Sequence, residues 1–260
     1  MGLFADAIAA RPPGLIPFVA GGDPGGGGLE GLAGVLRGLA DAGAAAVEVG
    51  VPFSDPIADG PTIQAAYQRA LDAGTTVKGL LGAVRPVVGD LGIPSLAMVS
   101  QSIVQRHGSR AFCRSLAEAG IGGLLVPDLP AGPASVEVAA AAKDAGLETI
   151  LLVAPTTPEA RRREIVSLAT GFVYYLSVAG ITGARTDLPP DLADNVTRLK
   201  AMTDRPVCVG FGIGRREQVR AVAEVADGVI VGSALVKHLQ AAGTNHAAAA
   251  QDFATGLLND

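Results

Sequence analysis

Short apolar runs rich in β-branched residues alternate along the chain with longer stretches in which apolar positions recur every three or four residues. The short runs predict strands over 15–20, 47–51, 95–99, 123–126, 149–153, 172–177, 207–209 and 228–231. The longer pattern predicts helices over 29–42, 62–73, 77–88, 110–119, 135–145, 158–168, 192–202, 216–223 and 234–242. Several helical runs end in Ala-Gly just before the next strand: Ala42-Gly43, Ala119-Gly120 and Ala145-Gly146. Glycine there adopts the left-handed backbone that closes a helix. Strand and helix in regular alternation imply a parallel sheet. Eight such units in 260 residues match a (β/α)8 TIM barrel. The rival is a doubly wound open sheet, which differs by closure of the first strand on the eighth, and the pattern alone does not register closure. No linker or composition shift divides the chain, so residues 1–260 are expected to form a single barrel domain.

Composition narrows the function classes. Hydrophobic residues make up 49% and charged residues 17%, enough for a large core. The net charge is −5 with scattered basic residues, which disfavours nucleic acid. The densest basic cluster, Arg161-Arg162-Arg163, is flanked by Glu159 and Glu164 and reads as a solvated helix face. No apolar run is long enough to span a membrane, and the N-terminus has no signal-peptide pattern. Cys113 and Cys208 sit alone in apolar settings and read as core residues of a reduced, cytoplasmic protein. His107, His238 and His246 have no metal-ligand spacing, so no metal is expected.

One stretch breaks the apolar pattern. In "AVEVGVPFSDPIADGPTIQ" (46–64), Glu48 interrupts a strand, and Asp55 and Asp59 follow in a loop stiffened by Pro52, Pro56 and Pro61. In a parallel barrel both faces of a strand are covered, so a carboxylate there needs a partner or a task. Barrels place catalytic groups at the carboxyl ends of their strands, where Glu48 lies. The structural alternative for Glu48 is an arginine partner; for Asp55 and Asp59 it is an Asx-turn or a cap on the helix near Thr62.

This run resembles the tryptophan synthase α-chain family, and the resemblance extends along nearly the whole chain. "PFVAGGDP" (17–24), "VPDLP" (126–130), "LLVAPTTP" (151–158), "VYYLSVAGITGAR" (173–185), "VGFGI" (209–213) and "DGVIVGSALV" (227–236) look like the family's other strand ends, in the same order. The resemblance implies a (β/α)8 barrel that cleaves indole-3-glycerol phosphate to indole and glyceraldehyde 3-phosphate, with no cofactor. It implies that Glu48 is the general acid/base at indole C3 and the glycerol hydroxyl. It gives Asp59 the hydrogen bond from the indole N–H. Protonating an indole carbon needs an acid and a nearby anion, so Glu48 is expected to have a pKa near neutral through partial burial and Asp59 to stay ionised.

The phosphate is expected near the loops after the seventh and eighth strands, where backbone N–H groups and a helix start converge. Gly212-Ile213, Gly232-Ser233 and Gly183 of the sixth loop fit that place and match the family's phosphate ligands. Thr182 matches a threonine that pairs with the second-loop aspartate when the sixth loop closes. Tyr174 matches a tyrosine near the substrate, and Phe18 is expected to line the indole pocket, though either could be barrel packing. The family docks a pyridoxal-phosphate-dependent β-chain through the second and third loops, so Pro52 and Asp55 are expected partner contacts.

The third loop departs from the family. Where members often carry Met-Thr-Tyr-x-Asn-Pro, this chain reads "MVSQSIVQRHG", with Ser100 at the tyrosine position, Ser102 at the asparagine and Ile103 at the proline. Two further readings stay open: a free-standing indole-3-glycerol phosphate lyase, and a non-catalytic phosphosugar-binding or activating barrel. A Schiff-base aldolase is disfavoured, since Lys78, Lys143, Lys200 and Lys237 all fall in helical patterns.

Overall fold

The computed structural model describes residues 2–130, 132–177, 189–210 and 212–259. Eight parallel strands close into a barrel in sequence order. They are β1 (Leu15–Ala20), β2 (Val47–Gly50), β3 (Ser95–Met98), β4 (Gly123–Leu125), β5 (Glu148–Val153), β6 (Val173–Leu176), β7 (Val207–Gly210) and β8 (Gly228–Val231). Ile16 pairs with Ile230 and so joins β1 to β8, which removes the open-sheet alternative. Around the strands lie α1 (Leu3–Ala10), α2 (Gly28–Asp41), α3 (Pro61–Asp72), α4 (Val77–Val88), α5 (Gln101–His107) and α6 (Ser109–Glu118). They continue as α7 (Pro133–Asp144), α8 (Glu159–Leu168), α9 (Leu192–Lys200), α10 (Arg216–Ala223), α11 (Ser233–Ala241) and α12 (His246–Leu258). No helix among the described residues is long and apolar enough to cross a membrane.

Alternation along the strands sorts the core into two regions. Val19, Val47, Val49, Val207, Val209 and Val229 face outward and pack against the helices. Ile16, Leu96, Leu125, Ile150, Tyr174, Cys208 and Ile230 fill the barrel interior. The expected glycine closures hold: Gly43, Gly120 and Gly146 have φ of 98°, 84° and 78°. The arginine cluster on α8 is only partly a solvated face. Arg163 pairs with Glu159 at 2.6 Å, but Arg162 turns back to the carbonyls of Pro155 and Thr157, both at 2.9 Å.

Three helices are additions to the pattern read from sequence. α1 plugs the floor of the barrel: Phe4 and Ile8, one turn apart, join the interior cluster, and Phe4 meets Phe172 edge-on at 5.8 Å. Glu148 at the start of β5 anchors α1 by accepting from Leu3 N at 2.6 Å and Phe4 N at 3.3 Å. A carboxylate at a helix N-terminus satisfies N–H groups that have no partner within the helix. α5 occupies the unusual third loop. Its start is held by Asp128, which accepts from Gln101 N at 2.8 Å and from Ser100 Oγ at 2.6 Å. α12 lies along α2, where a Cβ on Gly38 would sit 2.4 Å from the Ala247 carbonyl. Only glycine lets the two backbones approach so closely.

Candidate active site

A cavity of about 650 Å³ opens at the carboxyl ends of the strands. The residues expected to act together do converge there: Phe18, Glu48, Asp59, Tyr174, Gly212, Ile213, Gly232 and Ser233 all line it. Thr182 and Gly183 lie outside the described residues. Pro52 and Asp55 are not in the cavity wall; Pro52 is buried and Asp55 is exposed on the loop above it. Met98, Leu125, Leu152, Leu176 and Ile230 give the cavity an apolar wall.

Glu48 projects inward from β2, between Phe18 of β1 and Leu96 of β3 in the ladder. It is 2% exposed, and its Oε1 has no hydrogen-bond partner. The arginine partner of the structural alternative is therefore not what holds it. Burial, and then the charge of Asp59, push its pKa up to about 8. Such a carboxyl is protonated at neutral pH and can donate.

Asp59 sits just before Gly60, the residue that opens α3, with Pro61 in the first turn. α3 starts at Gly60 with no side-chain cap, so Asp59 does not cap it as the structural alternative had it. The loop is held instead by backbone: Asp59 N donates to the Pro56 carbonyl at 3.0 Å, and Gln64 Nε2 to the Asp59 carbonyl at 2.8 Å. Burial and then the charge of Asp128 push the Asp59 pKa to about 7. Asp59 is thus held less ready to ionise than the sequence predicts, because burial and Asp128 both disfavour its charge. Both carboxyls are raised into the neutral range by burial, so the pair can hold a proton beside a negative charge at neutral pH.

Space for two tyrosines comes from glycines on the inner faces of β2 and β7. A Cβ on Gly50 would lie 2.3 Å from the Tyr67 hydroxyl, and one on Gly210 would lie 2.4 Å from the Tyr174 hydroxyl. Both rings are buried, and burial holds both hydroxyls well above the usual phenol range. They remain donors rather than anions. Tyr67 had no distinguishing mark in the sequence beyond its place on the buried face of α3.

The cavity wall is polar where the loops after β7 and β8 reach it. Gly212 has φ of 78°, in the left-handed region, and Gly232 precedes α11 with no side-chain cap. The first N–H groups of α11 thus face the cavity beside Ser233, an arrangement suited to an anion. Buried Gln218 shapes the adjoining loop. Its Oε1 accepts from Gly214 N at 3.1 Å and Arg215 N at 3.2 Å, and its Nε2 donates to the Gly212 carbonyl at 3.3 Å. Arg215 and Lys237 line the same end and add positive charge. Sequence reasoning missed Gln218, which carries no motif signal, and set Lys237 aside as a helical lysine.

A family profile described as tryptophan synthase alpha chain matches residues 4–257. The tryptophan synthase alpha chain of Gloeobacter violaceus is 45% identical over 241 residues, spanning 92% of this chain and 86% of that one. The Carboxydothermus hydrogenoformans protein of the same name is 42% identical over 238 residues, spanning 92% and 88%. Among solved structures, a chain from the tryptophan synthase α2β2 complex of Pyrococcus furiosus superposes with a TM-score of 0.85 at 36% identity, covering 94% of this chain and 97% of that one.

Proposed function

This chain belongs to the tryptophan synthase alpha chain family, and from that premise we propose how its site works. The substrate is indole-3-glycerol phosphate, and the products are indole and glyceraldehyde 3-phosphate. The observation that carries the reading is one cavity lined by two carboxyls of raised pKa, by the start of α11 with its neighbouring glycines, and by an apolar wall.

The phosphate sits against Gly212, Ile213, Gly232 and the start of α11, with Lys237 and Arg215 contributing charge. The indole lies in the slot of Phe18, Met98, Leu125 and Leu152. Protonated Glu48 gives its proton to indole C3. The ring nitrogen becomes cationic, and ionised Asp59 accepts its N–H hydrogen bond. Glu48, now a carboxylate, takes the proton from the glycerol hydroxyl next to the ring. The C–C bond breaks, its electron pair restores the indole and the hydroxyl carbon becomes the aldehyde. Glu48 ends as it began, so the cycle needs no outside acid, base or oxidant.

The chain acts as a single-barrel α subunit in the cytoplasm and passes indole to a pyridoxal-phosphate-dependent β chain. The Pyrococcus furiosus relative in an α2β2 complex supports the pairing. So does the loop between β2 and α3, where Ile57 is 74% exposed beside Asp55. An exposed large apolar side chain on a proline-stiffened loop suits a protein contact.

The test is indole release from indole-3-glycerol phosphate by the purified chain, alone and with a β chain, followed by Glu48→Gln. Slow release that a β chain accelerates, abolished by the substitution, supports the reading. Fast release without a β chain identifies a free-standing lyase. Full activity of Glu48→Gln would overturn the role of Glu48.

A further inference from the structure

Gln218, in the first turn of α10, is 7% exposed and reaches the cavity wall. Both of its polar atoms bond to the loop after β7. Oε1 accepts from Gly214 N at 3.1 Å and Arg215 N at 3.2 Å, and Nε2 donates to the Gly212 carbonyl at 3.3 Å. The bond to Arg215 N is ordinary helix capping, in which the third helical residue reaches back to the N-cap. A glutamate would serve that purpose as well. The bond from Nε2 to Gly212 has no part in capping, and a carboxylate could not make it.

That bond sets the direction of a peptide. In a trans peptide the carbonyl and the following N–H point opposite ways. With the Gly212 carbonyl turned to Gln218, the Ile213 N–H points away from it. Among the described residues no backbone carbonyl accepts from Ile213 N, and Gly212 and Ile213 both line the cavity. Gly212 stands at φ 78°, where glycine lets the peptide turn over at little cost, so a bond is needed to fix its direction. The same side chain sets where the loop lies. A Cβ on Gly214 would be 2.6 Å from the Cβ of Ala234, in the first turn of α11. The loop thus lies directly against the start of that helix, and the bond to Gly214 N holds it there.

We propose that Gln218 is a positioning residue for the phosphate: it turns the Ile213 N–H into the cavity and seats the loop against α11, so that this N–H and those of the first turn of α11 converge on one anion. The inference rests on the reading that the substrate's phosphate binds at this place. Without the Nε2 bond the peptide can turn over and offer the Gly212 carbonyl oxygen, which repels a phosphate. Gly214 N and Arg215 N, taken by Oε1, are not among the phosphate donors. Donors already held in place bind an anion more tightly, because less ordering is left to do at binding.

The experiment compares the whole chain with Gln218→Met and Gln218→Glu by NMR, with inorganic phosphate as the probe. Methionine keeps the length and lacks the donor. Glutamate also lacks the donor but keeps the acceptor for Gly214 N and Arg215 N, which covers the case in which Gln218→Met folds poorly. In the wild type the Ile213 amide proton should move downfield as phosphate is added. In both variants the Gly212 carbonyl carbon should move upfield, the Ile213 response should fade and phosphate should bind about tenfold more weakly. KM for indole-3-glycerol phosphate should rise by a similar factor with kcat changing little. Glutamate adds a charge, so weaker binding confined to that variant would overturn the proposal. So would Gly212 and Ile213 signals that behave in the folded variants as in the wild type, or a wild-type Ile213 amide that ignores phosphate. Lack of indole release by the wild-type chain would instead sink the lyase reading, while the phosphate titration still tests Gln218.

Discussion

Arg69 grips Asp23 with two near-parallel hydrogen bonds, Nε to Oδ1 at 2.8 Å and Nη2 to Oδ2 at 2.7 Å. The pair joins the loop after β1 to α3, the helix whose start positions Asp59. Asp23 is 3% exposed and also accepts from Gly25 N at 3.0 Å, whereas the arginine side chain is 30% exposed. The glycine-rich segment around it is thus pinned by a single carboxylate.

Removing the arginine leaves a buried carboxylate without its cation. Arg69→Ala should destabilise the chain by about 2–4 kcal/mol, the partial exposure of Arg69 keeping the loss below that of a fully buried pair. Thermal unfolding should show the midpoint falling by roughly 5 °C or more. An unchanged midpoint would mean that solvent replaces the arginine at little cost.

Glu48 predicts an unusual stability profile. Its folded pKa lies near 8 against an ordinary value of 4.5. Between those values the unfolded chain releases a proton that the folded chain keeps, so stability falls as pH rises and levels off above about 8. Glu48→Gln removes this dependence. Calorimetry should find the variant gaining stability on the wild type steadily from pH about 5 to about 8. A constant difference across that window would contradict the raised pKa.

The two carboxyls should also shape the rate. Wild-type kcat/KM should be bell-shaped, with apparent limbs near 7 and 8 that belong to the pair. In Asp59→Asn the acid limb should vanish. The alkaline limb should move down, because the charge that helps raise Glu48 is gone. Stopped assays of indole release across pH decide it, and a flat wild-type profile would refute the split.

At the other end, Ser233→Asp places a negative charge at the start of α11, where the phosphate is proposed to bind. KM should rise by about tenfold or more with kcat changing little, since the binding removed is uniform along the reaction. Competition by inorganic phosphate should weaken in parallel. A kcat loss without a KM change would place the phosphate elsewhere.

The β-branched runs located all eight strands to within a residue or two, because strands buried on both faces leave a continuous apolar trace. Closure required the structure, since the β1–β8 pairing joins the two ends of the pattern. Glu48 and Asp59 were legible because a carboxylate in an apolar run stands out. α5 was not: it is seven residues long, and the acceptor that starts it, Asp128, comes from another loop. α12 was hidden by its alanines, whose burial depends on Gly38 in a distant helix. Tyr67 reads as ordinary core on α3 until Gly50 is seen to leave room for its hydroxyl.

The plug formed by Phe4 and Ile8 gives the barrel a blind end. With that end filled by buried side chains, the cavity opens at the carboxyl rim of the strands. Indole must leave by the rim through which its parent entered. A partner that receives it has to sit at that rim, on the same side as the exposed Ile57, and cannot collect it from beneath. The N-terminal helix, far from any chemistry, thereby dictates the direction of traffic.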